Sequence, residues 1–171
     1  MTNARILGLA FSMVLGAVSV ASAQQQTPTP LQQYEKWSTY TYTAAGAKVC
    51  YAVTQPSDMQ PQGVNRDPVF LFITNRPKEG VKHEVSVIAG YPYKDGSKTS
   101  VKIGNDSFVL YTKDQGAWVE NAADESRLIA SMKGGSDMQV TGTSRRGTVT
   151  TDTYSLKGVS AALKRIDGEC K

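Results

Sequence analysis

The chain has 171 residues, a formal net charge of +4 and 40% hydrophobic residues. That supplies the core of one domain, and it lacks the concentrated basic face of a nucleic-acid binder. One histidine and two cysteines leave little from which to assemble a metal centre, and the cysteines are too far apart for a C-x-x-C redox pair.

The first 23 residues read as a cleaved signal peptide. Arg5 is the basic n-region residue, Ile6 to Val20 is the apolar run, and Ala21-Ser22-Ala23 supplies the small residues before the cut. The run is short for a membrane span, which needs roughly 20 apolar residues. No membrane span is therefore expected after cleavage, and the protein is expected in the periplasm or secreted. Losing 23 of 171 residues leaves Gln24 to Lys171, and losing Arg5 lowers the charge to +3. Residues 24–36 are rich in Gln, Thr and Pro and read as a flexible leader. Residues 37–171 are then one domain.

Trp37 to Thr43 alternates as a strand, with Ala45-Gly46-Ala47 as its turn and Val49 to Thr54 as the next strand. A polar loop follows, with Pro56, Pro61 and Gly63. Val69 to Ile73 is a continuous apolar run, which predicts a strand buried on both faces. Asn75 to Gly80 reads as a turn and Glu84 to Ala89 as a strand broken by Gly90-Tyr91-Pro92-Tyr93. Asp95-Gly96 lies between strand-like runs and predicts a hairpin. Further hairpins are predicted at Gly104-Asn105-Asp106 and at Ser144-Arg145-Arg146-Gly147, and Asp114-Gln115-Gly116 reads as a turn into Ala117-Trp118-Val119.

Two stretches read as helices. Asn121 caps the first, which runs to Lys133 with Leu128, Ile129 and Met132 inside and Gly134-Gly135 as its stop. The second spans about Gly158 to Ile166, with Val159, Ala162, Leu163 and Ile166 as one apolar stripe. Many short strands with closely spaced turns make the chain mainly β, an antiparallel sandwich or barrel carrying two short helices.

Cys50 and Cys170 are an even pair in an exported chain, and a disulfide is the simplest reading. Two free thiols, one buried and one at the terminus, are the alternative. His83 is the only base for a Ser-His-Asp triad. It lacks a nucleophile-elbow pattern nearby and reads as a surface or strand-end residue. Asp124 and Glu125 are neighbours on a helix and point about 100° apart, so they suit the helix start better than acid–base work. No catalytic residue, metal site or cofactor is expected.

Two surface features stand out. Arg145 and Arg146 sit at a hairpin tip, where guanidinium forks could grip phosphate or carboxylate, or could simply be solvated. Tyr91, Pro92 and Tyr93, with Trp118, form either an aromatic platform for a sugar or peptide or a plug for the open end of the sandwich.

Several stretches together carry a family likeness. They are Trp37 to Thr43 with Lys48-Val49-Cys50-Tyr51-Ala52, Thr74-Asn75-Arg76-Pro77, Gly90-Tyr91-Pro92-Tyr93, Gly96-Ser97-Lys98, Gly116-Ala117-Trp118-Val119, Gly134-Gly135-Ser136-Asp137-Met138, Ser144 to Thr148, and Tyr154 to Gly158. In this order they resemble the invasion-associated locus B family of exported bacterial proteins. The resemblance implies an immunoglobulin-like antiparallel β-sandwich and no established catalytic residues. The more familiar family pattern has additional cysteines, so this chain resembles a two-cysteine branch. The expected function is a non-enzymatic cell-envelope protein, a binding or interaction module for an unknown envelope component or protein partner. The alternatives are a secreted host-interaction factor and, behind it, a cell-envelope hydrolase using His83.

Overall fold

A computed structural model describes residues 27–171. The expected signal peptide lies outside the described residues. Eleven strands form one antiparallel sheet: β1 (Thr29–Tyr34), β2 (Trp37–Ala44), β3 (Ala47–Thr54), β4 (Asp58–Gln60), β5 (Phe70–Arg76), β6 (Val81–Ile88), β7 (Lys98–Ile103), β8 (Asp106–Lys113), β9 (Gly116–Val119), β10 (Asp137–Thr143) and β11 (Val149–Ser155). The helices are α1 (Ala122–Gly134) and α2 (Val159–Glu169). The order across the sheet is β1-β2-β3-β5-β6-β9-β8-β7-β10-β11-β4.

The chain link between β3 and β4 explains how this sheet becomes a sandwich. β3 lies near one edge of the sheet and β4 at the other, yet only residues 55–57 join them. The sheet must therefore fold over until β11 approaches β2 and β3. Trp37 Nε1 donates to Ser155 O at 3.1 Å across this closure, and Ser57 N donates to Thr153 O at 2.7 Å. The inward side chains of both halves meet as one core, including Trp37, Leu71, Ile73, Val85, Val87, Leu110, Val140 and Tyr154.

Both helices follow from their sequences. Asn121 Oδ1 accepts from Asp124 N at 2.9 Å and satisfies a first-turn donor of α1. Glu125 does more than start the helix. Its Oε1 accepts from Val85 N at 2.8 Å and ties α1 to β6. The apolar stripe of α2 is buried, where each large side chain contributes about 1.5–3 kcal/mol. Gly158 precedes it at φ +94°, and a Cβ there would lie 2.2 Å from Tyr34 O, so only glycine fits.

Four expectations change. Residues 29–34 of the leader form β1, because their backbone pairs with β2 and Thr39 Oγ1 donates to Gln32 O at 2.6 Å. Ladder hydrogen bonds order a segment whose side chains alone would not. Within the polar loop, β4 pairs with β11. The apolar run of β5 is buried on one face only: Leu71 and Ile73 point into the core, while Phe70 and Phe72 are half-buried on the outside. Their rings pack on each other at 5.7 Å, and Phe72 packs on Tyr51 at 5.8 Å, which shelters apolar surface without a second layer. Asp95-Gly96 is a turn closed by Ser97 N donating to Lys94 O, but β6 and β7 do not pair. β9 occupies the place beside β6, and the chain after Ala89 crosses the end of the sandwich instead.

Candidate functional site

The crossing segment builds the floor of a groove of about 570 Å³, whose lining includes Arg66, Tyr91, Pro92, Arg145, Arg146 and Thr150. Two neighbouring segments pin it. Asp67 N donates to Gly90 O at 2.8 Å, and Gly90 has φ +72° with its Cα against Asp67 O, where a Cβ would approach to 2.1 Å. On the other side, Arg145 N donates to Pro92 O at 2.9 Å and Lys94 N to Thr143 O at 2.9 Å. The tip of the β10–β11 hairpin is thus docked on residues 92–94. Within the tip, Thr148 N donates to Ser144 Oγ at 3.1 Å.

Beneath the groove lies a buried ion pair. Arg66 donates through both terminal nitrogens to the two carboxylate oxygens of Asp152, at 2.9 and 2.6 Å, and through Nε to Ala89 O at 3.0 Å. The two side chains are 5% and 3% exposed. The guanidinium carbon of Arg66 stands 5.1 Å from the centre of the Tyr91 ring. Tyr91 Oη and Thr150 Oγ1 lie 2.7 Å apart. Tyr91 and Tyr93 pack edge to face at 5.3 Å, and Gly142 makes room for them, since a Cβ there would meet Tyr93 Cε1 at 2.6 Å. Burial raises the Tyr91 hydroxyl above the ordinary phenol range and raises Tyr93 further, so both are neutral at pH 7. Burial also pushes the Asp152 carboxyl upward, against the pull of Arg66.

The predicted surface residues separate. Arg145, Arg146 and Tyr91 come together on the groove. Tyr93 is 3% exposed and plugs the sandwich end from inside. Trp118 is on the outside of β9, stacked on Tyr111 at 5.7 Å, and belongs to a different face. The nearest carboxylate to Arg145 is Asp95 at 3.7 Å, with both side chains well exposed. Arg146 makes no ion pair among the described residues.

Arg66 and Asp152, 86 residues apart, were not anticipated as partners. Asp152 did leave one signal: it alternates with Thr150 and Tyr154, which point inward on β11. A carboxylate at an inward strand position calls for a buried cation.

The other polar cluster lies at the opposite end of β6. His83 is at the strand end, near the start of β6 beside a bulge at φ +59°, but it is not a surface residue, since its side chain is 14% exposed. Its N donates to Asn75 Oδ1 at 2.8 Å, and its Nε2 lies 2.7 Å from Asp167 Oδ1. Asn75 Nδ2 donates to the same oxygen at 2.9 Å. No serine hydroxyl bonds to the imidazole among the described residues, so the contacts tie α2 to β5 and β6. Close by, Cys50 and Cys170 form a disulfide. Lys48 and Glu169 pair on the surface above it.

The sequence matches the model of the invasion associated locus B (IalB) protein family over residues 37–167. No curated protein matches it. Among solved structures, the crystal structure of invasion associated protein B from Bartonella henselae is similar in fold, with a TM-score of 0.59 and 14% identity over 81% of this chain and 95% of that one. With most of its length matched by one family model, this mainly β, disulfide-tied chain belongs to the invasion-associated locus B family.

Proposed function

We propose that the protein is an exported, non-enzymatic envelope protein that binds an anionic envelope component in the groove above Arg66 and Asp152. The observation that carries this reading is the convergence of Arg145, Arg146 and Tyr91 on one groove, with Arg146 unpaired among the described residues. Arginine forks match the paired oxygens of phosphate and carboxylate, and the volume suits a headgroup or one or two sugar units. Arg66 is not the anchor, because Asp152 already neutralises it. Its role is to hold Tyr91 against the floor. The disulfide and the N-terminal signal pattern support export to the periplasm or beyond.

The test is an NMR titration of the chain from Gln24 with glycerol phosphate and, separately, with a uronic acid. Saturable shifts at residues 145–148 and Tyr91, lost in Arg145→Ala/Arg146→Ala, are expected. Shifts scattered over surface lysines, or none, would refute the groove as the site.

A further inference from the structure

A second surface, remote from the groove, carries chemistry of its own. On the outer face, Val53 of β3 pairs with Phe72 of β5, Phe72 with Ser86 of β6, Ser86 with Trp118 of β9, and Trp118 with Tyr111 of β8. Tyr40 stacks on Tyr51 at 5.3 Å beside this row. The aromatic band therefore crosses six strands, β2 to β8. It reaches solvent most fully at Val109 and Tyr111, 57% and 43% exposed. Adjoining it on the same outer face are Lys98, Lys102 and Lys113. Lys98 comes no closer than 4.0 Å to Glu120, and the other two make no ion pair among the described residues. Of the carboxylates on this face, Glu84 is held by Arg76 at 2.9 Å, while Glu120 and Asp137 are exposed at its margin.

Three occupants are conceivable, and geometry and charge separate them. A sugar platform works best with both ring faces or a whole flat face free, and in Tyr40–Tyr51 and Tyr111–Trp118, stacked at interplanar angles of 17° and 28°, one face of each ring is taken by its neighbour. A second copy needs opposite charge, and a facing copy brings the same three lysines against these, an excess of positive charge that Glu120 and Asp137 do not balance. An anionic lipid surface needs neither shape complementarity nor a large footprint. Tyr and Trp rings suit the headgroup boundary, with apolar bodies and polar tips, and lysines beside them attract anionic headgroups.

We propose that this aromatic and lysine-bearing face docks on an anionic lipid surface, lying on the membrane without crossing it. This docking does not rest on the groove. The test is co-sedimentation of the chain from Gln24 with vesicles of phosphatidylethanolamine and phosphatidylglycerol, and with vesicles of phosphatidylcholine alone. Binding to the anionic vesicles is expected. It should fall about tenfold or more in Lys98→Glu/Lys113→Glu and in Val109→Ser/Tyr111→Ser. These are exposed positions, so unchanged melting temperatures will show that both variants fold. In the Arg145→Ala/Arg146→Ala background the same two pairs should still lower vesicle binding by a similar factor, which separates this face from the groove. Absence of vesicle binding, equal binding to the neutral vesicles, or binding unaffected by either pair would overturn it. Dimerisation abolished by Val109→Ser/Tyr111→Ser would overturn it too, by assigning the face to a second copy.

Discussion

The two ends of β6 hold polar clusters of opposite construction. At its start, His83, Asn75 and Asp167 share several bonds, partly open to water, beside a disulfide. Just past its end, Arg66 and Asp152 form one pair almost sealed from water. In the first cluster a lost bond leaves others, and water can reach the exposed carboxylate. In the second, a lost partner leaves a bare charge in the protein interior. The groove end thus has one ion pair whose loss strands a buried charge, whereas the α2 end shares its polar bonds among several side chains.

The largest expected effect lies at the α2 end and works through the unfolded chain. The disulfide joins residues 120 apart, and loop-entropy models give such a closure about 4–5 kcal/mol. Cys50→Ala and Cys170→Ala should each lower stability by similar amounts in denaturant titrations, and the double variant should add little. Additive losses would mean that the two sulfurs act independently.

Next in size is Asp152→Ala, which should cost about 3–5 kcal/mol by stranding Arg66. The paired change Arg66→Met/Asp152→Leu should recover most of that stability. If it does not, hydrogen bonding to Ala89, and not desolvation, dominates at this end.

A smaller effect should appear with pH. Burial holds the His83 imidazole below its ordinary value, more than the contact with Asp167 raises it. The unfolded chain therefore takes up a proton first, and stability should fall as pH drops below about 6.5 towards the folded value. For Asp167, burial acts upward, but the bonds from Asn75 and His83 together hold the carboxyl below its usual range. Its contribution is present above the unfolded value near 3.8 and is lost as pH falls through the lower folded value. Thermal melts of His83→Gln should lose the first of these slopes and weaken the second, which the bond from Asn75 still supports.

The smallest stability effect belongs to Arg145→Ala/Arg146→Ala, within about 0.5 kcal/mol of the parent, since both side chains are exposed. A large loss would show that the hairpin tip depends on those side chains, and not on the backbone bonds to Pro92 and Ser144.

What the sequence disclosed follows from the range of the forces involved. Local signals gave both helices: the Asn121 cap, the stripe from Val159 to Ile166, and the glycines at their ends. The hairpins at Gly104-Asn105 and Ser144 to Gly147, and the turn at Asp114-Gln115, were equally legible, because turn chemistry is local. Long-range choices were not. Nothing near Asp95-Gly96 says that β9 will lie beside β6, and nothing in Thr29 to Tyr34 says that β2 has a free edge. Phe70 and Phe72 looked like core because their sheltering partners, Tyr51 and each other, are known only once the strands align. The site divided in the same way. The exposed Arg145 and Arg146 could be named from a turn, whereas the Arg66–Asp152 support joins segments 86 residues apart.

The most direct test of the groove is capture from a solubilised envelope extract by the tagged chain from Gln24, run beside Arg145→Ala/Arg146→Ala. The account predicts that the parent retains a component bearing phosphate or carboxylate groups and that the equally stable variant does not. Retention of the same component by both proteins, or of nothing by the parent, would contradict it.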